Sequence, residues 1–307
     1  MLCTAASCST SCSAAMASPR TNGQGSEEKI VHRGKPNGLL SAPTRSLRTM
    51  ESLISCASAR EEYVRPDQTL IVFDWDDTLC PSHWIRSNRP ALQYFAPCPN
   101  DPRYKKPLNE LSDVVVNVLR LAAEYGQVVI ITNAQVNWVE TSAKNFMPSV
   151  YPLLTELNCS IVYARAKFEM DLDGNHSPKK KSFGYDYNAN APQQWKDNAF
   201  FGELSKFYSR YDYQSWKNVI SIGDQSCERD AVRMAKKNRP DGVKKKRSRV
   251  KTLKLLEEPS IEDLTAQLQV VQQWLQGIVM YDGDIDVDLA EDDDVIFEFH
   301  KKLVEGV

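Results

Sequence analysis

The segment LIVFDWDDTL, residues 70 to 79, runs four apolar residues straight into Asp74, Asp76 and Asp77. Asp74 and Asp76 are two apart, so in extended chain they project to one side while Trp75 points to the other. Like charges this close cost stability unless a cation or a chemical task offsets the repulsion. Two carboxyl groups sharing one site have separated pKa values, so one can act as nucleophile while the other carries protons. Two later apolar runs also end in polar residues: VVIIT leads to Thr132 and Asn133, and VISIG leads to Asp224. Thr132 offers a neutral hydroxyl donor and Asp224 a further carboxylate. Such an oxygen-rich set suits a hard cation such as Mg2+, which needs one or two protein carboxylates and takes its other ligands from water and substrate.

Taken singly, none of these signals is specific. An Asp-x-Asp at a strand end commonly makes a turn or a helix cap, and a Thr-Asn after an apolar strand commonly caps the next helix. Their weight comes from recurrence, since three apolar strands end in groups of one chemical theme.

The elements that must position them alternate in type. Apolar strands are expected at TLIVFDW, QVVIITNA, CSIVYARA, KNVISIGD and VKTLKLL, each short and mostly uninterrupted. Between them lie helical patterns: NELSDVVVNVLRLAAEY stopping at Gly126, NWVETSAKNFM, VYPLLTEL, a helix opened by Pro192, QSCERDAVRMAKKN, and an amphipathic helix capped by Ser260. A further short helix is expected over residues 47 to 57. Continuous apolar strands alternating with helices predict a Rossmann-like α/β fold, a parallel sheet covered on both faces. In that architecture the functional crevice lies beyond the carboxyl ends of the strands, where the acids fall.

In this arrangement the chain resembles the haloacid dehalogenase superfamily, mostly magnesium-dependent phosphohydrolases on a Rossmann-like sheet. FDWDDTL is similar to its first motif, with Asp74, Asp76 and Thr78 in place; VVIITNA to its second, ending in Thr132; and ISIGDQSCERD to its fourth. The wording around TNAQVNWVETSAKNFMP also resembles a set of protist members of the superfamily. The resemblance implies Asp74 as nucleophile, Asp76 as general acid and base, and Thr132 with a lysine as phosphoryl holders. It also implies Thr78 and Asn133 at the substrate, and Mg2+ on Asp74, Asp76 through its backbone carbonyl, and Asp224. The lysine motif has loose context. Lys217 precedes a strand and so falls at the wrong end of the sheet, Lys206 lies deep in its helix, and Lys196 at the helix start is the choice. For the second acid after Asp224, Glu228 and Asp230 compete, and Glu228 is taken as the further metal ligand.

Inserted cap domains select substrate in that superfamily, and the two places for one are short here. Residues 79 to 107 suffice for a flap, and residues 164 to 192 read as a polar loop. The site is therefore expected to be nearly capless and open to a bulky phosphorylated substrate, a protein or a nucleic-acid end.

Of 307 residues, 42% are hydrophobic and 25% charged, as in ordinary globular chains. No apolar run is long enough for a membrane span. Eight cysteines form no CxxC pair and no zinc-like cluster, which fits free thiols in a reducing compartment. Residues 1 to 45 read as a disordered tail, residues 46 to 281 as the α/β domain, and residues 282 to 307 as an acidic tail. The first 26 residues carry a single basic residue, Arg20, which favours a plain tail over an organelle-targeting peptide and leaves a cytoplasmic or nuclear location as the expectation. The run Arg233 to Lys254 holds eleven Lys or Arg against one acid, and residues 282 to 294 hold eight acids and no base. The basic run reads as a solvated loop, a nuclear-localisation signal or a surface for nucleic acid or phosphoprotein. The rival to an enzyme is a non-catalytic module of the same fold that uses these charged segments to bind partners.

Overall fold

The computed structural model describes residues 62–173, 191–210, 216–244, 247–291 and 293–304. The helix expected over 47–57, the amino-terminal tail and most of the polar segment 164–192 lie outside the described residues. After two short 3-10 turns, Glu62–Val64 and Pro66–Gln68, six strands appear: β1 Thr69–Phe73, β2 Gln127–Thr132, β3 Ser160–Tyr163, β4 Asn218–Gly223, β5 Arg249–Lys254 and β6 Ile285–Asp288. The helices are α1 Ser82–Ser87, α2 Pro102–Tyr125, α3 Trp138–Phe146, α4 Val150–Glu156, α5 Ala164–Asp173, α6 Ala191–Tyr208, α7 Ser226–Lys237, α8 Asp241–Lys244, α9 Ile261–Met280 and α10 Asp293–Val304. All pairings are parallel, and the strand order is β3-β2-β1-β4-β5-β6. This is a Rossmann-like α/β sheet, as the alternating pattern predicts.

Alternation along each strand explains the two layers. Ile71, Phe73, Val128, Ile130, Ile220 and Ile222 enter one core with residues of α2 and α9, such as Leu111, Val115, Leu264 and Leu268. Their neighbours Leu70, Val72, Val129, Ile131 and Val219 point to the opposite face, where Ala199, Phe200 and Leu204 of α6 and Ala231 of α7 cover them. Each fully buried Ile, Val, Leu or Phe stabilises this sandwich by roughly 1.5–3 kcal/mol.

Three expectations are corrected. The segment expected as a flap over 79–107 contains α1 and already the first turn of α2, which begins at Pro102 with Asp101 capping the Arg103 amide at 2.9 Å. The start of the expected polar loop, Ala164 to Asp173, is helix α5. The acidic tail expected from residue 282 is also part of the fold, because β6 adds to β5 with Ile285 and Val287 buried beneath it. Its aspartates alternate outward and meet the basic run. Lys236 contacts Asp284 at 2.6 Å, Arg249 contacts Asp282 at 2.5 Å, and Arg233 contacts Asp286. Helix α10 then packs on α9, with Phe299 edge-on to Trp274 at 5.1 Å and the Trp274 indole donating to His300 Nδ1. Hence each of the two opposite charge blocks finds part of its partners in the other. No helix among the described residues is long and apolar enough to cross a membrane.

Candidate active site

Strand order reverses at β1, whose neighbours are β2 on one side and β4 on the other, and the crevice at such a switch point is where these folds bind ligands. The ladder continues past β1 through the Asp74 amide, which donates to Ile222 O at 2.9 Å and fixes Asp74 beside the end of β4. Beyond it the chain turns sharply. Asp77 adopts a left-handed φ of 54°, and the amides of Leu79 and Cys80 close back on Trp75 O. His83, in the first turn of α1, donates its amide to Asp77 Oδ1 at 2.7 Å.

Lys196 is the centre of the buried part of the site. Helix α6 carries its side chain, 1% exposed, under the sheet end, where Nζ lies 2.5 Å from Asp74 Oδ1, 2.7 Å from Glu228 and 2.8 Å from Ile131 O. Lys206 and Lys217, the other two lysines considered, pair instead with Glu203 and Glu62. Burial raises the Asp74 carboxyl to about 7, against the pull of Lys196, with Glu228 and Asp76 adding repulsion. Burial opposes the charge on Lys196 too, but the Asp74 and Glu228 carboxylates outweigh it and hold the ammonium charged. One cation cannot neutralise two carboxylates, so negative charge remains in excess. Burial, followed by repulsion from Asp74 and Glu228, likewise pushes Asp224 up to about 8.

Asp76 is held apart from this pair. Its Oδ1 accepts from Ser82 Oγ at 2.5 Å and from the Trp138 indole at 2.7 Å, and its Oδ2 accepts from Thr132 Oγ1 at 3.2 Å. Thr132 Oγ1 in turn accepts from the Ala134 amide at 3.0 Å. Ser82 and Trp138 were invisible as site residues in the sequence, where each merely opens a helix.

The remaining expected residues are distributed as follows. Thr78 is fully enclosed, its hydroxyl lacks a hydrogen-bond partner, and it does not line the cavity. Asn133 donates to Pro192 O at 3.3 Å and so ties the end of β2 to the start of α6. Glu228, expected as a further metal ligand, pairs with Lys196 at 2.7 Å. Besides Lys196 it accepts from the Gln225 amide at 3.2 Å and from Cys227 Sγ at 3.0 Å, in a capping box that opens α7. Gly223 makes this approach possible, since a Cβ there would meet Glu228 Cγ at 2.6 Å. Asp230, the alternative acid, lies on the outer part of α7 near Arg233.

Above these groups opens a cavity of about 830 Å3 whose lining includes Asp76, Asp77, Asp224, Ser82 and Trp138. Asp74 lies beneath this lining. No cluster of three or more His, Cys, Asp or Glu with metal-ligand geometry occurs among the described residues. The donor chemistry nonetheless fits Mg2+, because Asp74 and Asp224 are hard oxygen donors that repel each other and that Lys196 leaves incompletely neutralised. No family model, no curated protein and no solved structure matches this chain.

Proposed function

We propose that this protein is a Mg2+-dependent phosphatase of the haloacid dehalogenase type, with Asp74 as nucleophile and Asp76 as general acid and base. The observation that carries the reading is the division of labour between two carboxylates. Asp74 is ion-paired to a buried lysine at the switch point, whereas Asp76 is held by neutral donors at the cavity wall. Lys196 engages Asp74 Oδ1 and leaves Oδ2 to attack phosphorus in line. The ester P–O bond breaks as Asp76 gives its proton to the leaving oxygen. In the second step Asp76 takes a proton from water, the water oxygen attacks the aspartyl-phosphate at phosphorus, and the bond to Asp74 breaks. Thr132 and Lys196 would turn from their present acceptors to donate to the phosphoryl oxygens. Asp74, the Asp76 carbonyl and Asp224 would hold Mg2+, which supplies positive charge against phosphate and carboxylate repulsion when bound.

One observation favours a binding module instead: Asp74 lies below the cavity lining, its charge already shared with Lys196. A single assay separates the two readings. Purified full-length protein should release phosphate from an aryl phosphate with Mg2+ and lose that activity with chelator. Asp74→Asn, nearly isosteric but a poor nucleophile, should abolish release and leave the circular dichroism spectrum unchanged. Equal release by wild type and Asp74→Asn would sink the proposed chemistry.

A further inference from the structure

We infer that the cleft above Asp76 takes an extended, basic segment of a phosphorylated protein, and not the end of a nucleic acid. The inference rests on the phosphatase reading only for the phosphoryl group itself. Its first support is charge. Five acidic side chains line the cavity, those of Asp76, Asp77, Asp224, Glu257 and Glu258, against one basic lining residue, Arg86, with burial favouring the neutral form of Asp224 near pH 7. Arg86 lies 3.3 Å from Glu258, which His83 also approaches, and Lys254 lies 3.2 Å from Glu257. These contacts reduce the acidity of the rim without removing it. A polyanionic strand would meet repulsion along this rim, whereas lysine or arginine beside a phosphoresidue would find carboxylates.

The second support is shape. Tyr94 and Phe95 line both the main cavity and an adjoining hollow of about 490 Å3, whose walls include Arg89, Pro90 and Gln93. The aromatic pair is thus a ridge between two depressions, a longer footprint than a small phosphate ester fills. Phe95 is 85% exposed and Val136 is 55% exposed, while Tyr94 packs edge-on against Trp138 at 5.3 Å. An exposed aromatic beside a groove marks an interaction surface, and here it matches an occupant with apolar as well as basic side chains.

The third support is that part of the competing candidate for nucleic acid is already engaged. The basic run spends Arg233, Lys236, Arg247 and Arg249 on Asp282, Asp284 and Asp286. Lys251, in the same run, is buried and donates to Val279 O.

The test is binding, so that it reads the cleft whether or not turnover occurs. Fluorescence anisotropy on the full chain carrying Asp74→Asn compares three labelled probes at low salt. They are a phosphopeptide with lysine and arginine flanks plus one apolar residue, the same peptide with glutamate flanks, and a 5′-phosphorylated oligonucleotide. The basic peptide should bind about fivefold or more tightly than the acidic one, as expected for a few exposed charge pairs. The oligonucleotide should bind most weakly, and the difference should fade as salt rises. In the Glu257→Gln/Glu258→Gln double variant the preference should shrink several-fold. Equal or tighter binding of the acidic peptide or the oligonucleotide overturns the inference, and so does a basic preference that the double variant retains in full. A basic preference in these binding measurements, with no turnover of any phosphate ester by the wild-type chain, would keep the cleft assignment and count against the phosphatase reading alone.

Discussion

Lys196 Nζ sits 2.5 Å from Asp74 Oδ1 although 122 residues separate them along the chain, and both side chains are buried. The sheet makes this meeting, because β1 delivers Asp74 to its end while α6 crosses beneath with Lys196 near its start. The same ammonium reaches Glu228 at 2.7 Å, so two carboxylates share one buried cation.

Removing that point charge should damage both folding and chemistry. Lys196→Met leaves Asp74 and Glu228 buried without their cation, and breaking a buried ion pair from one side costs about 3–5 kcal/mol. Urea denaturation should show a midpoint lowered accordingly with an unchanged slope, and aryl phosphate turnover should vanish. A variant as stable as wild type would show that the buried pair contributes little to the fold.

The indole of Trp138 donates to Asp76 at 2.7 Å and shares that oxygen with Ser82. Trp138→Phe keeps the ring against Tyr94 and removes the donor. A hydrogen bond to a charged group contributes about 1.5–3 kcal/mol, so kcat should fall roughly tenfold or more if Asp76 transfers the proton. KM should change far less, since the indole holds the acid and not the substrate. A rise in KM with kcat intact would assign Trp138 to binding.

Much of this was legible in the sequence, and the exceptions share a cause. Strands β1, β2 and β4 announce themselves because parallel strands covered on both faces read as unbroken apolar runs such as LIVF and VVIIT. Asp74, Thr132 and Asp224 could be placed at strand ends by counting, and the position of Lys196 near the helix start put it on the same side of the sheet. Glu228 was visible as an acid, but its partner was not, because the meeting with Lys196 depends on how α6 and α7 pack. Trp138 and Ser82 gave no signal at all, since their function lies in contacts made across 62 and 6 residues. Strand β6 was hidden for an electrostatic reason. Its pattern, Ile285-Asp286-Val287-Asp288, is a half-buried alternation, but the surrounding acids disguise it as a solvated block. The basic residues that neutralise it lie on α7 and β5, too far away in sequence to be recognised as its partners.

The buried Lys251 gives the protein a pH-dependent cost. Its side chain is fully enclosed, and burial, aided by Arg249, lowers its pKa to about 7 despite Asp282 and Asp284. In the unfolded chain a lysine keeps its proton to about 10.4. Between these values the unfolded state binds more protons than the folded one, so this group's contribution to stability rises with pH from about 7 to about 10. Below about 7 both states are protonated and the cost is fully present. Lys251→Met should therefore raise the melting temperature at pH 7 and flatten that part of the profile. The loss of its bond to Val279 O is tolerable, because Asn218 Nδ2 also donates to that carbonyl at 3.2 Å. Thermal melts between pH 6 and 10 check both the sign and the slope, and a destabilised variant at pH 7 would contradict the argument.

Truncation after Tyr281 tests whether the acidic carboxyl-terminal segment is a structural element. Deleting residues 282 to 307 removes β6 and α10 together. It exposes the backbone edge of β5, where Lys251 to Lys254 now pair with Ile285 to Asp288. It also takes Asp282 from Arg249, whose side chain is buried and forms the 2.5 Å contact, and Asp288 from Lys254. Leaving a buried charge without its partner costs about 3–5 kcal/mol, and the apolar surface of Ile285 and Val287 is lost besides. Native stabilities are about 5–15 kcal/mol, so the truncated chain should melt far below the full-length protein or fail to fold cooperatively. A subtler variant isolates the charges: Asp282→Asn should lower stability while leaving the strand in place, and added salt should reduce the difference. Calorimetry of the three proteins at low and high salt decides the matter. A truncated chain as stable as the parent would mean that β6 adds nothing to the sheet and that the segment is a tail after all.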